Sequence, residues 1–347
     1  MSKKRVAVAL SGGVDSAIAA CLLQEAGHEV IGLTMSLFSE EKRTCPSAES
    51  VDDAENVCHS LGIPFHLIDM EQEFRECVVD YFCREYAAGR TPNPCVACNR
   101  HIKFGRLLDS AFSLGADFLA TGHYVRTKHN KDGYHLLKGC DKDRDQSYLL
   151  YTLGQDKLGR VMFPLGEYTK AQVREMAAQK GLPVADRPSS QDICFITGGY
   201  GTFLSMYLKA APGDIVNSRG TVLGRHRGTA FYTVGQRHGL GLAAAEPVYV
   251  THIDPAKSRL TIGSRAELYQ SRLTASDVNW VSGKQPSEPI RIAVKIRYRS
   301  PEASATLHPS SNSVVINLDR PKPAITPGQA VAFYRNDEVL GGGTIES

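Results

Sequence analysis

Through the first 200 residues, short apolar runs alternate with stretches in which apolar side chains recur every three or four positions. The runs at 5–10, 30–35, 65–69 and 117–121 have the length of buried strands. Between them, Val51, Ala54, Cys58 and Leu61 mark one face of a helix that Gly62 ends, and Phe74, Val78 and Tyr81 mark another that ends near Gly89. Residues 169–180, closed by Gly181, predict a further helix. Strands separated by helices specify βαβ units, so this part predicts an α/β domain with a doubly wound parallel sheet.

Near Ala210, Ala211, Pro212 and Gly213 the pattern changes. Beyond it β-branched residues, Gly and Pro are frequent, and short strands are expected at 248–253, 259–262, 290–298, 313–318 and 330–334. The expected organisation is an α/β domain over 1–211, a central β-rich domain over 212–272 and a C-terminal β-barrel over 273–347. No internal repeat or low-complexity tract interrupts it.

With 347 residues, 42% hydrophobic and 22% charged, the chain has the makings of a sizeable core, which excludes a disordered or collagen-like protein. No apolar run approaches the roughly 20 residues of a membrane span. The basic start resembles a signal peptide, but Asp15 breaks the apolar stretch, so the expectation is a cytoplasmic protein with no membrane partner. Nine cysteines in such a chain read as thiols, and Cys21, Cys58 and Cys77 in helical patterns read as core filling. Residues 1–205 hold 23 Lys and Arg against 26 Asp and Glu, whereas 206–347 hold 17 against 11, so the second part is the one suited to a polyanion.

Three segments carry candidate chemistry. Ser11, Gly12, Gly13, Val14, Asp15 and Ser16 follow an apolar strand and open a helix. Two glycines let backbone N–H groups face an anion, the helix terminus adds partial positive charge, and two hydroxyls add donors. The Gly-Lys-Ser/Thr ending of a Walker loop is missing, which suits release of pyrophosphate better than β/γ-phosphate chemistry. The segment 89–105 contains Pro92, Pro94, Cys95 and Cys98. It reads as a rigid loop before a helix starting near Asn99, where Cys98, beside Arg100 and Lys103, is expected to have a lowered pKa. In the segment 189–196, Cys194 sits at the edge of an apolar run, and its local chemistry alone reads as a buried structural thiol.

A fourth feature is the alternation through 291–299. On a continuous strand Arg291, Lys295, Arg297 and Arg299 share one face and Ile292, Val294 and Ile296 the other. Such a row fits an RNA backbone; a solvated sheet face is the plain alternative.

The loop 11–16 resembles that of the ATP pyrophosphatases, which cut ATP between its α- and β-phosphates to adenylate a carbonyl oxygen. Together with Thr91-Pro-Asn-Pro and Cys98-Asn, Gly122-His-Tyr124, Arg144-Asp-Gln-Ser-Tyr148, Asp192-Ile-Cys-Phe195 and Gly235-Gln-Arg-His-Gly-Leu-Gly241, the chain resembles the bacterial tRNA-specific 2-thiouridylases over essentially its whole length. That resemblance implies a pyrophosphatase domain followed by two β-rich domains. It implies adenylation of the wobble-uridine C2 oxygen, then sulfur transfer from a persulfide on Cys194, with Cys98 forming a transient disulfide with it. Ala9, Leu10, Ser11, Gly12, Gly13, Val14, Asp15, Ser16, Met35 and Gly122 would bind ATP with Mg2+. Asn93, Pro94 and Cys95 would flank the base. His123, Arg144, Asp145, Gln146, Arg297, Tyr298 and Gln329 would touch the tRNA, of the Lys, Glu or Gln type, and a carrier protein would donate the persulfide.

Cys95 stands where the family more often has aspartate. With Cys98 and Cys194 it makes a possible iron–sulfur ligand set, and with Cys98 and His101 a possible zinc set. A small-molecule synthetase using the same loop, or a non-catalytic RNA-binding or redox-sensing protein, are the remaining alternatives.

Overall fold

The computed structural model describes residues 3–38, 47–185, 193–196, 198–243 and 246–347. Its first seven strands are β1 (Arg5–Ala9), β2 (Glu29–Ser36), β3 (Phe65–Asp69), β4 (Phe118–Thr121), β5 (Val125–Asn130), β6 (Gly133–Lys138) and β7 (Val161–Met162). Five of them form a parallel sheet in the order β3-β2-β1-β4-β7. Val6 and Val8 of β1 pack in one core with helix α1 (Val14–Glu25), while Ala7 packs in another with Phe74, Phe82 and Leu107. Both faces of the strand are therefore covered, which is why its sequence is a continuous apolar run rather than an alternating one. The sheet is doubly wound, as expected.

The central strands β8 (Gly213–Asn217), β9 (Val222–His226), β10 (Tyr249–Asp254) and β11 (Arg259–Gly263) pair in the order β10-β11-β8-β9. They are followed by β12 (Tyr269–Trp280), β13 (Ile290–Lys295), β14 (Ala303–Pro309), β15 (Ser313–Pro323), β16 (Ala330–Arg335) and β17 (Glu338–Ile345). These run β12-β15-β14-β13-β16-β17, and pairing of β12 with β17 closes a six-stranded barrel. Closure removes the sheet edges. The hairpin β5–β6, which local pattern did not reveal, leaves the parallel sheet and pairs with β17 through Leu137 and Leu136. One sheet thus runs from the first domain into the barrel.

Two sequence expectations are corrected here. The helix expected from Phe74 to Gly89 is a chain of three segments, Glu71–Phe74, the π-helical Arg75–Asp80 and Tyr81–Ala87. The strand expected over 290–298 stops at Lys295, and residues 296–300 turn away, with the Ser300 amide donating to the Arg297 carbonyl at 3.1 Å. The four-cation face is therefore not formed. Arg291 is held bidentately by Asp319 at 2.8 and 2.6 Å, and Lys295 points to the buried Asp145 at 3.6 Å. Arg297 donates to the Ala324 carbonyl and to Thr326 Oγ1.

The seam between first domain and barrel is buried and polar. Tyr148 is fully buried and donates to the Ala330 carbonyl at 2.7 Å. Asn279 Nδ2 donates to the Tyr151 carbonyl at 2.7 Å, and Gln155 Nε2 to the Val281 carbonyl at 2.8 Å. Among the described residues no helix is long and apolar enough to cross a membrane. Tyr148→Phe leaves the Ala330 carbonyl without its donor and should cost about 1–3 kcal/mol. Hydrogen exchange should show the loss as weaker protection in 330–345, and unchanged protection there would contradict the role given to this bond.

Candidate active site

Helix α1 begins directly after β1, and Gly13 is its N-cap with no side chain capping it, so its first-turn N–H groups are left for another acceptor. Gly12 has φ +67, and a Cβ there would lie 2.5 Å from the Ser50 carbonyl oxygen. The loop is thus tight for two reasons, backbone sign and close approach. The Ser11 amide donates to Ser16 Oγ at 3.2 Å, and Ser16 Oγ donates to the Gly13 carbonyl at 3.0 Å, which preforms the turn. Met35 lies at the C-terminal end of β2, beside the loop strand. Gly122 follows β4, and a Cβ there would come 2.8 Å from the Asp15 carbonyl carbon. Ligands of such sheets sit outside the carboxyl ends of the strands, where this loop lies.

Asp15 is the charged member of the loop. Its Oδ1 accepts from the Tyr124 hydroxyl at 2.7 Å and from Lys170 Nζ at 2.6 Å. Burial, and then Asp15, push the Tyr124 phenol far above its ordinary range, so it stays a donor. Lys170 was not singled out by sequence pattern. Its signal was positional: the capping box of Thr169 and Gln172 puts it first in the helix Lys170–Gln179, where the dipole disfavours a cation.

The cysteine helix starts earlier than expected. Asn93 Oδ1 accepts from the Val96 amide at 3.2 Å, Pro94 occupies the first turn, and the segment Pro94–Ala97 runs into the π-helical Cys98–Leu107. Cys98 therefore lies a turn inside the helix. Burial pushes its thiol up to about 11, against a smaller lowering by Lys103, which reverses the lowered pKa expected from sequence. Burial likewise raises Cys95. Cys194 is exposed, in a turn anchored by Phe195, which is buried and packs edge-on against Phe74 and Phe82. The segment 189–192 of that motif lies outside the described residues. Neither Cys95, Cys98 and Cys194 nor Cys95, Cys98 and His101 form a metal-ligating group, so the cluster and zinc readings find no ligand geometry. An open cleft of ≈ 440 Å³ is lined by Asn93, Ala97, Arg100 and Asp277 together with Cys77, but by none of Cys95, Cys98 and Cys194.

Comparison with known proteins covers the whole chain. The profile of a tRNA methyl transferase HUP domain matches residues 4–198, a PRC-barrel domain 201–264 and an aminomethyltransferase β-barrel domain 270–345. The tRNA-specific 2-thiouridylase MnmA of Moorella thermoacetica is 47% identical over 98% of this chain and 99% of its own. That of Chloroflexus aurantiacus is 48% identical over 98% of each, and that of Pelotomaculum thermopropionicum 46% identical over 100% of this chain and 98% of its own. The chain belongs to the tRNA-specific 2-thiouridylase family. The methyl transferase description attaches to two single domains, 4–198 and the PRC-barrel 201–264, whereas these relatives match from end to end.

In this 2-thiouridylase the residues expected to touch tRNA are largely engaged within the protein. Asp145 is buried and accepts from the Gly139 and Ser147 amides, both at 3.1 Å, and from Ser147 Oγ at 2.9 Å. Gln146 Oε1 accepts from the Tyr124 amide at 3.0 Å. His123 is buried, shares a 2.7 Å hydrogen bond with Thr121 Oγ1, and is held neutral by burial. Gln329 Nε2 donates to the carbonyls of Thr91 and Pro92 at 3.0 and 3.3 Å. Arg144 and Tyr298 are half-buried neighbours.

Gly122→Ala should abolish ATP binding and leave tRNA binding intact, because its Cβ displaces the Asp15 backbone; retained ATP affinity in a titration would refute that placement. Iodoacetamide should alkylate Cys98 slowly at pH 7 and faster as pH nears about 11, with exposed Cys140 reacting first. Peptide mass spectrometry reads this, and fast labelling of Cys98 at pH 7 would contradict its burial.

Proposed function

We propose that this chain makes 2-thiouridine at the wobble position of tRNA, as a cytoplasmic ATP-dependent sulfurtransferase. The observation that carries the reading is the combination of a lysine-free pyrophosphate loop and two cysteine segments in a chain matched throughout by 2-thiouridylases. The three parts would be 1–211 for ATP and chemistry, 212–272 between, and 273–347 for tRNA.

ATP would lie along Ala9–Ser16, Met35 and Gly122, and the Asp15 carboxylate would hold Mg2+, which when bound would supply positive charge against the phosphates. The uridine C2 oxygen attacks the α-phosphorus, the bond to the β-phosphate breaks, and pyrophosphate leaves with the electron pair. A uracil oxygen is a hopeless leaving group; AMP is a good one. The terminal sulfur of a Cys194 persulfide attacks C2 and displaces AMP. Cys98 then attacks Cys194 Sγ, forming the Cys98–Cys194 disulfide and leaving the sulfur on C2; two external thiol groups, themselves oxidised to a disulfide, reset the pair. A neutral Cys98 is a weak nucleophile, which keeps it from discharging the persulfide before the base is activated.

Asn93, Pro94 and Cys95 flank the base. Arg144 and Tyr298 offer charge and an aromatic face to the RNA, while His123, Asp145, Gln146, Arg297 and Gln329 shape the walls against which it docks. A carrier protein supplies sulfur to the exposed Cys194.

Cys194→Ser should release one pyrophosphate per bound tRNA and then stall, since adenylation consumes no sulfur. Cys98→Ser should stall too but still accept persulfide at Cys194 from a donor. Persulfide found by mass spectrometry on Cys98 and none on Cys194 would reverse the two roles.

A further inference from the structure

We propose that Cys95 is a resolving thiol: after sulfur transfer it takes over the disulfide bond of Cys98 and frees Cys194 to be loaded again. The proposal rests on the roles assigned above to Cys98 and Cys194 and adds a third thiol between them and the external thiols.

Cys95 and Cys98 form a C-x-x-C, the spacing of exchanging dithiols in chains built from βαβ units. The structure places both on the one helical run that Asn93 caps, Cys95 in its first turn and Cys98 three residues on. Residues at that separation lie on one helix face with Cβ atoms about 5–6 Å apart. A disulfide needs roughly 3.5–4.5 Å, so about 1–2 Å of closure joins them. The first turn can yield that much, since Pro94 has no amide to anchor and the Ala97 amide reaches the Asn93 carbonyl only at 3.4 Å. Burial raises both thiols, Lys103 lowers both, and charge on Cys95 raises Cys98 further, so the two sulfurs share one environment. Cys98 packs on the first-domain core, as do Ile193 and Phe195 on either side of Cys194. Cys95 joins none of the three apolar cores of the described residues, so it does not fill volume as Cys21 and Cys58 do.

Once sulfur has moved to C2, Cys98 is bonded to Cys194. Cys95 Sγ gives up its proton, attacks Cys98 Sγ and forms the Cys95–Cys98 bond. The Cys98–Cys194 bond breaks, its electron pair goes to Cys194 Sγ, and a proton follows. One disulfide replaces another, so no reductant is consumed until external thiols reduce Cys95–Cys98. Exposure sets the direction. The thiolate released at Cys194 is solvated, whereas the reverse step would release one at Cys95, where burial raises the thiol.

The competing account is that Cys95 only flanks the base and external thiols act on Cys98–Cys194 itself. Peptide mapping of the full-length protein distinguishes the two. Cys95 and Cys98 share the tryptic peptide 91–100, so their disulfide reads as the loss of two hydrogens. Protein loaded with glutathione persulfide, given ATP, Mg2+ and tRNA for one turnover and quenched with N-ethylmaleimide without reductant, should show that disulfide and an alkylated Cys194. Cys95→Ser and Cys95→Ala should instead trap Cys98–Cys194 at about tenfold its wild-type level or more. A second arm needs no turnover. Oxidised glutathione added to the reduced protein should give Cys98–Cys194 first and Cys95–Cys98 later, and in the two variants should stop at the first. Wild-type protein that stays at Cys98–Cys194 in either arm overturns the proposal, and so do equal levels of that disulfide in wild type and Cys95→Ser. If turnover oxidises none of the three thiols while glutathione still drives the exchange, the persulfide reading fails and Cys95 stands as the resolving thiol of the pair.

Discussion

The geometry of this site depends on a backbone that cannot hold itself. The segment before the cysteine helix carries Pro92 and Pro94, which have no N–H to donate, and its carbonyls are left in need of partners. The barrel provides them. Gln329 donates to the Thr91 and Pro92 carbonyls, and the Thr91 amide donates to the Pro327 carbonyl at 2.8 Å. Gly328, with φ +89, lets the two strands of this seam approach so closely that a Cβ would lie 2.8 Å from the Thr91 nitrogen. Arg90 adds ion pairs to Glu85 at 2.8 Å and to Glu346 at 2.6 Å. Cys98 is therefore positioned by a domain more than two hundred residues away in sequence, and the shared sheet through β6 and β17 fixes how that domain sits.

The two halves of the site differ in dielectric character. At the loop, open helix amides, Asp15 and Lys170 make a polar end suited to phosphates. At the cysteine helix, burial outweighs the nearby Lys103 at Cys98 and acts together with it at His123, keeping both neutral. The proposed activation, with its charged leaving groups, and the proposed sulfur transfer through a restrained thiol would thus not share an environment.

Much of this was legible in the chain because it is local. Apolar runs at 5–10, 30–35, 65–69 and 117–121 became β1 to β4 since a buried parallel strand needs nothing but such a run. The loop 11–16 was legible because its two glycines and its place between strand and helix are requirements of backbone geometry. The motifs of 89–105 and around Cys194 carried the family resemblance, and the end-to-end relatives agree with it.

What the sequence by itself determined is the parallel sheet, the tight glycine turn after its first strand and the family to which the candidate reactive side chains point. Only the tertiary structure decided their environments. Alternation through 291–299 promised a cationic face, but the strand ends at Lys295, and its charges meet Asp319, Asp145 and Ala324 from other elements. Charges beside Cys98 promised a reactive thiolate, but desolvation of the half-buried thiol against the first-domain core raises its pKa instead. Lys170 looked like any helix lysine until the fold set it against Asp15, 155 residues away. The reason is common to all three: periodicity and turn chemistry act over a few residues, whereas burial and charge pairing are set by whatever the folded chain brings alongside.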